Sequence, residues 1–161
     1  MKVQTGYLYH IKNEFFDIID DENLMTNHER GKKRPTYFTI KDEEILWFIP
    51  LSSKVDKYKK VIKQKKEKYG FCNTILIAEV FGKETAILLQ NAFPTLEKYI
   101  DHVHTVNGKA AKVSKRLSKI ILLNFQQLIE LKEQGIDLFF PDIDKIKQQM
   151  EEELEKSQKD N

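Results

Sequence analysis

The sequence predicts an α+β protein built around an antiparallel sheet. Runs of alternating, β-branched and aromatic residues dominate the first part of the chain, and long amphipathic patterns dominate the last part. Short turns separate neighbouring strand patterns, and such connections are typical of antiparallel pairing because parallel strands need a long crossover. Strands that precede helices in this way favour an α+β fold over a parallel α/β fold.

The N-terminal part predicts three strands. The first shows loose alternation of apolar and polar residues, and the next two are rich in β-branched and aromatic residues and are joined by an acidic turn. A polar stretch with Asn23, Asn27 and Gly31 separates the first strand from the second and predicts a loop. The predicted bounds are strands over residues 4–11, 35–40 and 44–50, a strand extension or a turn over 13–19, and a loop over 20–33.

The middle of the chain predicts a basic amphipathic helix and then a second hairpin. Apolar residues have helical spacing from Val55 to Ile62, and Gly70 stands where a C-cap glycine belongs. Pro94 is predicted to end the hairpin, and Gly135 to stop the first of two late helices. The predicted bounds are helices over residues 55–69, 109–133 and 141–155, strands over 74–80 and 84–89 around a turn at 81–83, and an unassigned segment over 96–103.

The composition indicates a single cytoplasmic domain. The chain has 161 residues of which 40% are hydrophobic, which is enough for a core. No apolar run approaches the ~20 residues of a membrane span, and no signal-peptide pattern is present. Cys72 is the single cysteine, so an intramolecular disulfide and a Cys-rich zinc site are excluded. We expect one domain over residues 1–150, an acidic C-terminal tail over 151–161, and no membrane association.

Positive charge is concentrated in three blocks, although the formal net charge is only +2. Residues 53–68 contain eight lysines against two acidic residues, and residues 109–119 contain five basic residues and no acid. Residues 30–34 form the third block. Local basic blocks on a nearly neutral chain favour a polyanion-binding site. For residues 53–68, a solvated helix face is the alternative.

The two strong strands predict a hairpin whose open end gathers cations and hydroxyl groups. Pairing places Lys33 and Arg34, at the start of one strand, beside Ser52, Ser53 and Lys54 at the end of the other. Such groups suit a phosphate ligand, and neither segment contributes a carboxylate. Ser53 has the alternative role of N-cap for the helix that follows, and a helix N-terminus is itself an anion site.

The histidines and the missing motifs limit the chemistry. The imidazole of His28 suits proton transfer, with an exposed loop residue as the alternative. His102 and His104 alternate as a metal pair would, but no third ligand follows at a recognisable spacing. The sequence has no Walker, GxGxxG, GxSxG or HExxH motif, and no carboxylate cluster for a two-metal nuclease lies near the basic blocks. We expect chemistry on RNA that needs no metal and no cofactor.

Three segments in this order resemble the endoribonuclease toxins of type III toxin–antitoxin systems, the ToxN/AbiQ family. They are Lys33-Arg34-Pro35 entering a strand, Ile49-Pro50-Leu51-Ser52-Ser53-Lys54, and Ala86-Ile87-Leu88-Leu89-Gln90-Asn91-Ala92-Phe93-Pro94. The similarity runs from the N-terminal strand to the long basic helix near the C-terminus. Each segment alone is a weak signal, and their order, spacing and the total length make the resemblance specific.

The resemblance implies a fold and an activity. The fold is a compact, strongly twisted antiparallel sheet with helices, like that of the MazF/Kid toxins. The activity is sequence-selective cleavage of cellular mRNA to 2′,3′-cyclic phosphate and 5′-hydroxyl ends, in phage resistance by abortive infection. The implied partner is a small repeated pseudoknot antitoxin RNA, which the toxin cuts from a precursor and then holds in a closed protein–RNA assembly that inhibits it.

The resemblance also assigns catalytic roles. Lys33 matches the family's lysine at the start of its second strand, and Ser52 and Ser53 match its hydroxyl pair after Pro-Leu, with Ser53 the stronger candidate. On this interpretation Lys33 and Lys54 stabilise the charge of the pentavalent phosphorane, and Ser53 contacts a non-bridging or leaving oxygen.

Two positions depart from the family pattern. The family often has Pro and then Lys after the hydroxyl pair, whereas this chain has Lys54 and then Val55, so Lys54 and Lys57 are both candidates for that lysine. A family tyrosine falls here on His28 or Glu29. His28 is therefore a candidate for moving a proton during cleavage.

The basic blocks are predicted to bind RNA, and alternatives remain for the whole chain. Tyr37, Tyr58 and Phe71 are candidates for stacking on bases, with the core as the alternative place for each. A non-catalytic RNA-binding module, and a MazF-like toxin with a protein antitoxin, are the rival functions. The predicted RNA-binding residues are Arg30, Lys32 and Arg34, then Lys57, Lys59, Lys60 and Lys63 along the substrate backbone, and Lys112, Lys115, Arg116 and Lys119 on the antitoxin RNA.

Overall fold

The computed structural model describes residues 2–159, which form a seven-stranded sheet, two small two-stranded ribbons and four α-helices. Every strand pair in this range is antiparallel, so the predicted α+β class is confirmed. In chain order the elements are β1 (Leu8–Ile11), α1 (Asn13–Ile18), β2 (His28–Glu29), β3 (Lys32–Lys33), β4 (Thr36–Asp42), β5 (Ile45–Ser52), α2 (Val55–Tyr69), β6 (Leu76–Val80), β7 (Lys83–Ile87), β8 (Phe93–Thr95), β9 (Ile100–Val103), β10 (Thr105–Val106), β11 (Lys109–Ala110), α3 (Lys115–Glu133) and α4 (Ile143–Lys159).

Strand β5 lies at the centre of the sheet. The strand order is β6-β7-β5-β4-β1-β9. One edge of β5 is shared by two strands, because β8 pairs with the first half of β5 and β7 pairs with its last two residues. β4 and β5 form the predicted hairpin, with Thr36 opposite Pro50 and Phe38 opposite Phe48. All eight residues of β5 are buried, because the strand has neighbours on both edges and the core around it. The end of β5 is therefore firmly placed.

The C-terminal helices pack on this central strand. The ring of Trp47 in β5 lies 6.2 Å from that of Phe125 in α3, and Phe139, just before α4, lies 6.3 Å from Phe125. Met150 of α4 is fully buried in the same core. Large aromatic side chains bury much apolar area, so these contacts fix α3 and α4 to the sheet.

Helix α2 has the predicted bounds and lies over the β6–β7 hairpin. Tyr58 packs with Ile75 and Leu88 in a second, smaller core cluster. Gly70 ends the helix with φ of 86° and donates its backbone N–H to the Lys66 carbonyl at 2.8 Å, as predicted for a C-cap. The other lysines of α2 are exposed, whereas Lys65 reaches towards this cluster and donates to Thr74 and Gln90.

The segment between β1 and β4 differs from the prediction. Residues 13–18 form α1, neither a strand extension nor a turn, because Phe15 enters the core there and is fully buried. The predicted loop contains the two-stranded β2–β3 ribbon, closed by Arg30 and Gly31 with φ of 53° and 76°. Two consecutive positive φ values are those of a hairpin turn whose twist matches its strands.

Two further predictions near the C-terminal half are wrong. Asn107 and Gly108 close a β10–β11 ribbon, so α3 begins at Lys115 with the Ser114 hydroxyl as its N-cap and not at Lys109. Asn-Gly is a strong hairpin signal and overrides the helical spacing there. Pro94 does not end a unit but pairs with Trp47 inside β8. A proline is tolerated there because β8 pairs along one edge.

Helix α4 continues beyond the predicted end at residue 155 as far as Lys159. Most of the predicted acidic tail is therefore helical, and its last two residues lie outside the described range. Within residues 2–159, no helix combines the length and the apolar character that crossing a membrane requires.

Candidate active site

Glu29 binds both hydroxyl groups at the end of β5. Its Oε2 accepts a hydrogen bond from the Ser52 hydroxyl at 2.7 Å. Its Oε1 accepts the backbone N–H of Ser53 at 2.7 Å and the Ser53 hydroxyl as well. Neither strand segment contributes a carboxylate, as predicted, but Glu29 brings one to the hydroxyl groups from outside both segments.

Arg34 holds the same carboxylate from the core side. Its Nη1 donates to Glu29 Oε2 and to the Leu51 carbonyl, each at 2.8 Å, and its Nε donates to the Thr26 carbonyl at 3.0 Å. Arg34 is only 5% exposed. Its guanidinium is thus a structural group that joins β5 to the β2–β3 ribbon, and the prediction that Arg34 contacts RNA is not compatible with its burial.

The environment keeps Glu29 ionised. Burial raises the pKa of this carboxyl, but hydrogen bonds from Ser53 and Ser52 and the charge of Arg34 outweigh it and lower the pKa from 4.5 to about 2. Such a carboxylate is a strong hydrogen-bond acceptor and a poor base near neutral pH. Glu29 therefore orients the two serines.

The backbone explains why these groups meet. Pro35 accepts the backbone N–H of Leu51 at 3.1 Å, which aligns the start of β4 with the end of β5. The Arg34 N–H donates to the Asn27 carbonyl, and the buried Asn27 side chain donates to the Ile11 carbonyl at 2.8 Å. These bonds fold the β2–β3 ribbon back over the open end of the hairpin, which carries Glu29 to the serines.

The two serines differ in accessibility. Ser52 is 3% exposed, whereas Ser53 is exposed. Ser53 is not the helix cap of the alternative interpretation, because Lys54 occupies the N-cap position of α2 and the Ser53 hydroxyl is bound to Glu29. The backbone N–H of Lys54 donates to the Ser52 hydroxyl at 3.1 Å. Ser53 is thus the hydroxyl at this site that a ligand reaches.

Lys33, the residue before Arg34, has its partner on a different strand. Its ammonium group forms an ion pair with Asp101 of β9, and this contact lowers the pKa of the Asp101 carboxyl. His28 lies directly opposite Lys33 in the β2–β3 ribbon and is exposed. Of the two predicted cations, Arg34 therefore lies near Ser52 and Ser53, because it binds the Glu29 carboxylate that both serines also bind. Lys33 is instead paired with Asp101 on β9.

Three histidines lie beside this ion pair. His10 of β1 forms a hydrogen bond with His104, with His10 Nε2 and His104 Nδ1 2.8 Å apart. The ring of His102 stacks on that of His10, with ring centres 4.7 Å apart. Burial, followed by the neighbouring histidines, lowers the pKa of His10 to about 4 and also lowers that of His104. His10 and His104 are therefore uncharged at neutral pH.

The histidines are arranged for hydrogen bonding. The contact between His10 and His104 is a hydrogen bond in which one ring nitrogen is the donor and the other is the acceptor. Among residues 2–159, no three His, Cys, Asp or Glu side chains are grouped so as to hold a metal ion.

The lysines of α2 form an exposed basic surface. Lys54, Lys57, Lys60 and Lys63 are exposed, and Lys59 is exposed but paired with Glu84 at 2.7 Å. The helix begins two residues after Ser53, so this surface starts at the candidate site and leads away from it.

The other predicted RNA-binding residues lie in two places. Arg30 and Lys32 are exposed at the tip of the β2–β3 ribbon. The remaining four are exposed near the start of α3, with Lys112 ahead of the helix and its ammonium group 5.7 Å from the ring centre of Tyr7. The three on the helix are Lys115, Arg116 and Lys119.

The candidates for base stacking are divided between core and surface. Tyr37 and Tyr58 are buried, so the core alternative is correct for both. Phe71 is 60% exposed and lines a groove of about 600 Å³ with Tyr69 and Phe140. The ammonium groups of Lys65 and Lys68 lie 5.5 Å and 5.1 Å from the rings of Phe140 and Tyr69.

Sequence reasoning missed three residues of the site. Glu29 is one of the two positions on which a family tyrosine falls, and nothing in its spacing indicates that it binds Ser53. Asp101 and His10 come from strands distant in the chain, and their contacts with Lys33 and His102 depend on the order of strands in the sheet. The Arg30-Gly31 pair, which forms the tight turn of the β2–β3 ribbon, is the sequence feature that indicates the ribbon that carries Glu29.

The fold is that of an anti-phage endoribonuclease of the type III toxin–antitoxin system. One solved structure with this fold is lactococcal AbiQ, which matches with a TM-score of 0.72 at 13% sequence identity, over 94% of this chain and 99% of the AbiQ chain. No protein-family model matches the sequence, and a search of curated proteins finds no significant match. The fold implied by the resemblance to the ToxN/AbiQ family is confirmed.

Proposed function

We propose that this protein is a metal-independent, sequence-selective endoribonuclease toxin of a type III toxin–antitoxin system. It cleaves cellular mRNA in the cytoplasm to 2′,3′-cyclic phosphate and 5′-hydroxyl ends and confers phage resistance by abortive infection. The observation that carries the proposal is the likeness of fold to AbiQ, which extends over nearly the whole of both chains.

The site geometry supports the proposal. An exposed serine hydroxyl is held in one orientation by an ionised carboxylate, and a row of exposed lysines begins one residue later. Ser53 contacts a phosphate oxygen in the transition state, and Ser52 positions Glu29 from the buried side. Lys33 supplies positive charge to the phosphorane once the phosphate competes with Asp101.

Lys54 and Lys57 share the role of the family's second lysine. Lys54 follows Ser53 directly and is exposed, so we assign the contact with the scissile phosphate to Lys54. Lys57 lies one turn further along α2 with its ammonium group 5.3 Å from the Tyr58 ring centre, and we assign it to the next phosphate. Lys59, Lys60 and Lys63 continue along the backbone of the substrate.

The inhibitor in this proposal is a small repeated pseudoknot RNA that the toxin itself processes. Folded RNA is recognised by its shape and by unstacked bases. Lys112, Lys115, Arg116 and Lys119 bind its backbone, Arg30 and Lys32 add charge beside the active site, and the protein and RNA form a closed assembly.

A non-catalytic RNA-binding module is the second candidate, and one observation favours it. The Ser53 hydroxyl and the Lys33 ammonium group both have carboxylate partners within the protein, so neither is free in this conformation. A module of this kind needs the basic surfaces only and has no use for Ser53.

Nucleic acid that co-purifies with the protein tests the proposal. The wild type and the Lys33→Ala and Ser53→Ala variants are expressed, and their bound RNA is sized and its ends are analysed. A discrete small RNA with 5′-hydroxyl and 2′,3′-cyclic phosphate ends in the wild type, and uncut precursor in the variants, is the expected result. Absence of bound RNA together with normal growth on expression of the wild type alone would contradict it, and a bound RNA that is never cut would leave the binding module.

A further inference from the structure

The cluster around Lys33 contains the groups that acid–base cleavage of RNA requires. Lys33 is ion-paired with Asp101, and Asp101 Oδ2 lies 3.5 Å from Nδ1 of His102. His28 lies directly opposite Lys33 in the β2–β3 ribbon. Two exposed imidazoles are therefore linked to Lys33, that of His28 as its cross-strand neighbour and that of His102 through the shared Asp101 carboxylate.

We propose that His102 is the general base of RNA cleavage and that His28 is its general acid, with Lys33 as the cation that binds the scissile phosphate. This inference rests on the proposed ribonuclease function. It assigns the proton transfers to imidazoles and not to Ser53, because the Ser53 hydroxyl donates its hydrogen bond to the ionised Glu29, which is too weak a base to deprotonate it.

Asp101 gives His102 the form that a general base needs. The carboxylate faces Nδ1, so it favours the tautomer with the proton on Nδ1 and leaves the lone pair of Nε2 free. The stacked ring of His10 fixes the plane of the imidazole. The His102 side chain is 58% exposed, so a bound RNA can reach it. Asp101 is a positioning residue in this scheme.

The neighbouring groups support protonation of His102 during the reaction. His10 and His104 face it from β1 and from the end of β9 and are uncharged at neutral pH. The charged groups that face it are Asp101, which stabilises an imidazolium, and Lys33, which the phosphate neutralises in the complex. The positive charge that His102 gains with the proton is therefore balanced by Asp101, and the phosphate offsets its repulsion by Lys33.

The step is a transesterification with no change of oxidation state. Nε2 of His102 takes the proton of the 2′-hydroxyl, the 2′-oxygen forms a bond to phosphorus, and the bond from phosphorus to the 5′-oxygen breaks. Protonated His28 gives its proton to the departing 5′-oxygen. The products are a 2′,3′-cyclic phosphate and a 5′-hydroxyl, and water restores the two histidines to their starting states.

Single-turnover cleavage by variants tests the roles. The site that the wild type cuts in bulk bacterial RNA is mapped, and an oligonucleotide with this site is the probe. His102→Gln is expected to lower the cleavage rate by about 10² to 10⁴-fold at unchanged RNA affinity and to remove the rise of the rate with pH on the acidic limb. Thermal unfolding of the variant checks that the fold is intact.

A sulfur substitution separates the base from the acid. In a probe with sulfur as the bridging 5′ atom, the leaving group is a thiolate that needs no proton. His28→Gln is expected to regain the wild-type rate on this probe, whereas His102→Gln stays slow. A residue with a merely structural role responds equally to both probes.

The outcomes distinguish the inference from the function on which it rests. Wild-type cleavage with an undiminished rate in His102→Gln, or recovery of His102→Gln on the sulfur probe, overturns the assigned roles and leaves the ribonuclease intact. No cleavage of bulk RNA by the wild type overturns the proposed function and these roles together.

Discussion

Glu29 accepts two hydrogen bonds from Ser53, one from its backbone N–H at 2.7 Å and one from its hydroxyl, through the same Oε1 atom. Glu29 lies on the β2–β3 ribbon and Ser53 lies between β5 and α2, so this contact fixes the ribbon to the start of the basic helix. The orientation of the exposed serine therefore depends on a residue far from it in the sequence. A change at Glu29 acts on the fold and on the site together.

Replacement of Ser53 separates an enzyme from a binding module. Ser53→Ala removes one exposed hydroxyl that we propose to contact the phosphate in the transition state, so we expect cleavage to fall by about 10² to 10³-fold. Affinity for RNA is expected to stay within about twofold, because the lysines of α2 are unchanged. Cleavage rates and fluorescence anisotropy with a labelled RNA measure the two effects.

The buried neighbour supplies the matched comparison. Ser52→Ala removes a hydroxyl that is 3% exposed and also donates to Glu29. We expect a loss of stability of about 1 kcal/mol and a smaller effect on cleavage than that of Ser53→Ala. An equal loss of cleavage in the two variants would contradict the direct contact of Ser53 with RNA.

Glu29 makes the stability of the protein depend on pH under acidic conditions. Its pKa is lower in the folded protein, about 2, than the ordinary value of 4.5, so the ionised form stabilises the fold. This contribution, about 3 kcal/mol, is fully present above pH 4.5 and is lost as the pH falls towards 2. Glu29→Gln is expected to be less stable than the wild type at pH 7, with a difference that narrows below pH 4.5.

Urea unfolding at pH 7 and at about pH 3 measures this difference. Glu67→Gln, which removes an exposed carboxylate from α2, is the control and should follow the wild type at both pH values. A gap between Glu29→Gln and the wild type that stays constant with pH would show that the loss comes from packing and not from the charge of Glu29.

The fold was predictable where local signals agree with tertiary contacts. The β4–β5 hairpin and α2 have strong local patterns and also lie in the core, and both are confirmed. The prediction failed at Asn107-Gly108, where a turn signal competed with helical spacing, and at Pro94, where pairing with Trp47 holds a proline in a strand. A local turn decided the outcome at the first place, and a contact from elsewhere in the chain decided it at the second.

The site was predictable only in part. The placement of Arg34 near Ser52 follows from hairpin pairing, which is a local rule. The pairing of Lys33 with Asp101 does not, because it requires β9 to join the sheet beside β1, through a connection that spans most of the chain. Side-chain direction at a strand entry cannot be fixed without knowing the neighbouring strand.

The lysines of α2 give RNA binding a defined dependence on salt. Each lysine that neutralises a phosphate releases counterions, so the slope of log K against log salt is about 0.7 to 0.9 per contact. The double variant Lys60→Gln/Lys63→Gln is expected to bind more weakly and to reduce this slope by about 1.4 to 1.8. Titrations with single-stranded RNA at several salt concentrations measure it.

Two exposed lysines on α4 provide the control for charge alone. Lys145→Gln/Lys156→Gln removes the same net charge from a helix that we do not assign to RNA. We expect its slope to equal that of the wild type. An equal reduction in both double variants would show that RNA responds to net charge and not to the α2 surface.

Phe71 tests whether the aromatic groove takes part in RNA binding. Phe71 and Tyr69 are each 60% exposed, and lysines lie against the neighbouring rings, which is the composition of a stacking platform for unpaired bases. Phe71→Ala is expected to weaken binding of single-stranded RNA by about 1–3 kcal/mol. Binding of duplex RNA should be unchanged, since its bases are already stacked.

Ile18 provides an apolar control for the truncation of Phe71. Ile18→Ala removes another exposed apolar side chain, 40% exposed and on α1, and should leave both affinities unchanged. Because Phe71 lies just after the C-cap of α2, its truncation leaves the helix bounds intact and the basic surface in place. Equal weakening of duplex and single-stranded binding would show that Phe71 supports the fold of the groove and does not stack on bases.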